Sequence, residues 1–199
     1  MFRARLIQML VVLSTVSVLP SLSHAGEVGK IKFNYRDADI VKVLEDYSQA
    51  TGQKFLIDPS IKGRITLINQ ERLTNEEAFN QLSSALAVNG IGISTQDAVM
   101  HVMPARILQR NYIPVIKELP PLRPERMYTY IINLKHLSAD DVNRQLRILT
   151  SRDGELVPNP QGNQLIVSDW SSNLHRIAAI IESVDQPAAK TAAKTAVKH

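Results

Sequence analysis

Cysteine is absent from all 199 residues. That excludes a disulfide framework, a thiolate metal site and an acylated N-terminal cysteine, so stability has to come from packing. Long apolar runs are scarce too. The one present, Leu6 to Leu19, follows Arg3 and Arg5 and leads to a small-residue cut site at Ser23-His24-Ala25. A positive start, a short apolar stretch and such a site read as a secretory signal peptide over residues 1–25. The run is too short to span a bilayer comfortably and no second one comes after it, so a soluble product is expected after export.

The vocabulary of catalysis is equally thin. No phosphate-binding loop, His-Glu-x-x-His, Gly-x-Ser-x-Gly or paired cysteine occurs. Of five histidines, His24 leaves with the signal and His199 ends the chain, while His101, His136 and His175 stand apart on different segments. A metal site needs several ligands together, so none is expected. The close carboxylates Asp37/Asp39, Glu76/Glu77 and Asp140/Asp141 all fall where helices begin, and capping of the helix N-terminus accounts for them. The expectation is a protein without catalytic, cofactor or metal residues.

The pI near 9.4 suggests nucleic acid until the charges are located. Removing Arg3, Arg5, Lys190, Lys194 and Lys198, all in the two ends, turns the formal +4 into −1 for residues 26–187. A body that is nearly neutral lacks the field that phosphate binding requires.

What is present is a repeated alternation of short strands and amphipathic helices. Ile31, Phe33 and Tyr35 alternate with Lys32 and Asn34 as in a half-buried strand. Asp37 or Asp39 can cap a helix carrying Ile40, Val43, Leu44 and Tyr47, with Gly52 at its end. Strands come next around "KFLI" and "RITLIN", then a helix opening at the capping box Thr74-x-x-Glu77 and ending at Asn89-Gly90, then a hairpin turning around Gln96-Asp97. The order over residues 26–104 is βαββαββ. Residues 105–126 interleave Pro114, Pro120, Pro121 and Pro124 with five basic residues and read as a linker. Over 127–187 the pattern restarts: a strand at "YTYIINL", a helix capped by Ser138 with Val142, Leu146 and Leu149 on one stripe, a hairpin around Pro160-Gln161-Gly162, and a last helix with Leu174, Ile177, Ile181 and Val184. This second unit is βαββα, and an Ala/Lys tail occupies 188–199. The fold class is α+β in two small domains, with helices on one sheet face and the other face and edges open to partners. The βαββα order is also that of KH modules, but the Gly-x-x-Gly loop of those nucleic-acid binders occurs only as Gly26–Gly29, before the first strand.

"FNYRDADIVKVLEDYSQATGQKFLIDPSIKGRITL" resembles the first periplasmic domain of secretins, the outer-membrane channels of type II secretion and related systems. "YIINLKHLSADDVNRQL", "NQLIVSD" and "IAAIIESVDQP" resemble the second, a KH-like ring-building domain. The resemblance covers about residues 30–187 in the family's order and is closest to the type II secretion members. It implies a non-enzymatic periplasmic role, with docking to an inner-membrane clamp component, contact with exported substrates and an outer-membrane secretin, and self-association into a ring. By the same analogy the edge strand carrying Lys30, Lys32, Asn34 and Arg36 accepts a partner strand. Trp170 is either a contact residue or a shield over the start of the last helix. Secretins continue into further ring domains and a barrel, whereas this sequence stops after its second unit, so a separate adaptor or a truncated secretin is expected. The alternative is a regulatory module, since TonB-dependent receptors carry a related first domain.

Overall fold

Regular pairing begins slightly later than the alternation suggests. A computed structural model describes residues 31–187; Lys30, the signal peptide and the Ala/Lys tail lie outside the described residues. Ile31 and Phe33 are buried, yet Ile31 makes only an isolated bridge to Leu73, and strand β1 runs Asn34–Asp39. It pairs antiparallel with β3 (Arg64–Ile68) in a two-stranded sheet. The register slips between Tyr35 and Ala38, where Asp37 takes a φ of 48° and its N–H donates to the Thr66 hydroxyl. A short acidic side chain tolerates that left-handed backbone.

Helix α1 (Ile40–Thr51) is capped by Asp39, whose carboxylate accepts from the N–H groups of Val41 and Lys42 at 2.9 and 3.3 Å. Asp37 is therefore not the cap. The helix ends at Gly52, where φ is 74° and a side chain would be strained. Helix α2 (Asn75–Val88) opens with the reciprocal Thr74–Glu77 box. Strand β2 (Phe55–Ile57) runs parallel to β5 (Val99–Pro104), which pairs antiparallel with β4 (Ile91–Gln96). The hairpin turns at Asp97-Ala98, both with positive φ, one residue beyond the expected position. Phe33, Leu44, Tyr47, Leu82 and Val102 form the core of this first module.

The stretch 105–126 is not wholly a linker. Ala105–Asn111 forms helix α3 directly after β5, and Val115–Ile116 forms strand β6, parallel to β7 (Met127–Asn133). The helix has a weak signature because only Ala105 and Leu108 of its residues are buried, hidden among Arg and Gln, and because proline dominates the residues after it. Helix α4 (Ala139–Leu146), β8 (Glu155–Asn159), β9 (Gln164–Trp170) and α5 (Ser171–Val184) complete a second module whose sheet order is β6-β7-β9-β8. Leu149 belongs to a 3-10 turn after α4. Leu165 and Val167 of β9 and Leu174 and Ile177 of α5 are fully buried in its core.

Asp185, just beyond α5, accepts from the N–H groups of Lys135, His136 and Leu137 at 2.7–2.8 Å and so ties the helix end to the β7–α4 loop. Burial works to raise its pKa, but the three N–H groups overcome that and hold the carboxyl below its ordinary value. A depressed folded pKa contributes stability that is fully present above the unfolded pKa and lost as pH falls through the folded one. Asp185→Asn is accordingly expected to lower the melting temperature at neutral pH and to flatten the acid limb of the melting curve below about pH 4. Melting as a function of pH, with variant and parent compared, checks it.

The modules meet at a small joint. Trp170 packs with Met103, Ala105, Leu108 and Met127, and its indole approaches Gly92 closely enough that an added Cβ would lie 3.4 Å from it. Alongside, the buried Glu125 accepts from the Ser171 hydroxyl and from both the N–H and hydroxyl of Ser172, while its own N–H donates to the Ser83 hydroxyl on α2. Arg123 closes the cluster, 2.8 Å from Glu125 and 3.1 Å from the Ser84 hydroxyl.

Candidate protein-interaction surfaces

Among the described residues the histidines do not converge. His101 stacks on Tyr112 with ring centres 6.5 Å apart, and the His175 imidazole meets the Pro120 carbonyl at 2.7 Å. Among the described residues no three His, Asp or Glu side chains are grouped so as to hold a metal. Carboxylates with displaced pKa values move downward: Asp46 through its bond from Lys42, Asp58 through the Ser60 hydroxyl, Glu77 through the Thr74 N–H, Asp141 through the Ser138 hydroxyl. That direction keeps the anion and suits capping, whereas a general acid at neutral pH needs the opposite. Burial, reinforced by Asp46, pushes Tyr35 up to about 12, which keeps it a neutral donor to that carboxylate.

What the chain does present is unpaired sheet. In the β1-β3 sheet each strand has one neighbour among the described residues, so β1 carries a free backbone edge there. Lys32, Asn34 and Arg36 are all exposed along that segment while Ile31 and Phe33 turn inward, the arrangement that lets an added strand pair with backbone and read alternate side chains. Of the residues singled out from the sequence, these three stand together; Lys30 lies outside the described residues.

Trp170 does not join them. It is 7% exposed and spends its surface inside the chain, as the wedge between the modules. Neither reading made from the sequence names this joint, because its neighbours Met103 and Leu108 lie in a segment read as hairpin end and linker. The only local signal was a large aromatic placed at the start of α5 without a side-chain cap.

The second module leaves a sheet face uncovered by the described residues. The ladder sets Tyr130, Val167 and Leu156 on the helix-covered face and Ile131, Ile166 and Val157 in register on the other. Val157 is 43% exposed. The row is apolar across three strands, half-buried at Ile131 and Ile166 and exposed at its Val157 end.

Comparison with known proteins agrees with this division. Residues 33–102 match the GspD-like N0 domain and residues 129–190 the bacterial type II/III secretion system short domain. Secretin XcpQ of Pseudomonas aeruginosa is 28% identical over 153 residues, 77% of this chain and 22% of that protein. Secretin PulD of Klebsiella pneumoniae is 24% identical over 155 residues, 76% of this chain and 24% of that protein. The chain thus spans about a quarter of the length of these curated relatives. The solved Klebsiella pneumoniae type II secretion system outer membrane complex, of PulD, PulS and the PulC HR domain, superposes with a TM-score of 0.68 at 23% identity, over 77% of this chain and 26% of that one, which shows the shared fold. Two modules in this order, a GspD-like N0 domain followed by a type II/III secretion system short domain, each matched by its own model, place the chain in the secretin family.

Proposed function

We propose that the chain is a non-enzymatic, periplasmic component of a type II-like protein secretion system, working through contacts with other proteins of the machinery. The first module grips an inner-membrane partner by strand addition at β1, and the second packs side by side with further copies through its uncovered face. The observation that carries this reading is the free β1 edge among the described residues, with Asn34 and Arg36 exposed on it and Lys32 exposed just before it. Support also comes from the Klebsiella structure, which contains a PulC HR domain together with PulD. The Ile131/Ile166/Val157 row supports the second contact, because the strand pairing that builds it is complete within one copy.

Charge reversal at the edge, Lys32→Glu with Arg36→Glu, is expected to weaken capture of the inner-membrane partner about tenfold while leaving the melting temperature unchanged, since both side chains lie in solvent. Cross-linking in the native host followed by identification of the captured proteins is the deciding measurement. Recovery of no secretin, clamp or pilus-like component would end the proposal.

A further inference from the structure

We propose that the cleft between the two modules is a docking site for an acidic protein segment with aliphatic anchors, separate from the β1 edge and from the uncovered face of the second module. The cleft encloses about 630 Å³. Val88, the last residue of α2, lines it from one module and Ile148, in the 3-10 turn after α4, from the other, and Trp170 lines it as well. These two are the most exposed large apolar side chains among the described residues, at 83% and 84%. A single exposed aliphatic needs no explanation, but two that top the range and line one cleft from different modules form an apolar pair awaiting cover.

Charge selects the occupant. Arg123, Arg152 and Arg176 line the same cleft. The two carboxylates among them, Glu125 and Asp153, have side chains only 7% and 10% exposed, whereas those of Arg123 and Arg152 are 53% and 71% exposed. Anions lie beneath and guanidinium groups above, so the mouth offers a positive field although the nearby charges almost cancel in number. Arg176 is exposed and donates to the neutral side-chain oxygen of Asn173, which leaves its charge without a counter-ion among the described residues. Guanidinium groups take carboxylates in paired hydrogen bonds. A segment that sets aliphatic residues over Val88 and Ile148 and carboxylates against the three arginines satisfies both parts of the surface. A nucleic acid would leave the aliphatic pair uncovered.

The test is an NMR titration of the isotope-labelled full chain with synthetic peptides. One carries two leucines at helical spacing flanked by glutamates, a second replaces glutamate with lysine, and a third replaces leucine with serine. The first is expected to shift the amides of residues 84–88, 148–152 and 170–176 and to bind at least about tenfold more tightly than either of the others. Val88→Ser, Ile148→Ser and Arg152→Glu, all with exposed side chains, should each weaken that binding with the rest of the spectrum unchanged. Three results overturn the proposal: no shifts in the cleft, equal binding of the lysine peptide, or equal shifts from a short DNA duplex. Sedimentation that shows a dimer whose formation alone protects these amides also overturns it, by making the occupant a second copy.

Discussion

Replacing Trp170 with alanine is expected to split the thermal unfolding of the chain into two transitions. The indole is the largest group in the joint, packed with Met103 and Leu108 of one module side and Met127 of the other. Truncating a buried tryptophan removes about 3–5 kcal/mol of packing. Each module keeps its own core, built on Leu44, Tyr47 and Leu82 in the first and Leu165, Leu174 and Ile177 in the second, so the loss falls on their coupling. Calorimetry of the parent should show one cooperative peak and of the variant two, the lower at a reduced temperature. Gly92→Ala pushes on the same joint from the opposite wall, where a Cβ would meet Leu108 at 3.3 Å, and should shift the transition the same way by less. A single unchanged peak in Trp170→Ala would show that the modules melt together for another reason.

Glu125→Ala should be the next most damaging change. Helix α5 begins at Ser171 with Trp170 in the capping position, and the Trp170 side chain has no oxygen to offer. The first-turn N–H of Ser172 is satisfied by the Glu125 carboxylate at 3.1 Å, and the Ser171 and Ser172 hydroxyls donate to the same oxygen. An anion at a helix N-terminus also gains from the dipole. Removing it strips the cap from α5 and leaves the Ser171 hydroxyl, fully buried, with only the Leu122 carbonyl at 3.3 Å to accept from it. Losing hydrogen bonds to a charged acceptor together with the cap costs about 2–4 kcal/mol. Arg123 is half exposed and regains water, so it adds little to the loss. Glu125→Gln keeps an acceptor oxygen without the charge and should lose about half as much. Urea denaturation of the three proteins orders them; alanine equal to the parent would refute the capping role.

The contrast between these two residues and the rest marks where local sequence stops being informative. Asp39, Gly52, Thr74 with Glu77, and Ser138 were legible because each acts on a helix end within a few positions of itself. Glu125 caps a helix 46 positions further on, and no local pattern announces that. Asn163 is similar: in a left-handed conformation, it accepts from the Ala139 N–H and donates to the Leu134 and Leu137 carbonyls across the module. Helix α3 and strand β6 are hidden from local patterns because each is held by the far side of the chain, α3 by Met127 and Trp170 and β6 by Thr129 and Tyr130. The β1 segment was legible in its alternation, although regular pairing starts only at Asn34 and slips between Tyr35 and Ala38. The cleft was invisible, since Val88 and Ile148 are ordinary aliphatics until the joint brings them together.

Strand β5 is central in its sheet, bonded to β2 on one side and β4 on the other, and it enters α3 at Ala105 with no intervening loop. Tension drawn through α3 therefore runs along β5, across the direction of its ladder bonds. Those bonds share the load and must rupture together instead of peeling one by one. Mechanical strength in this chain is thus concentrated where one module hands over to the next.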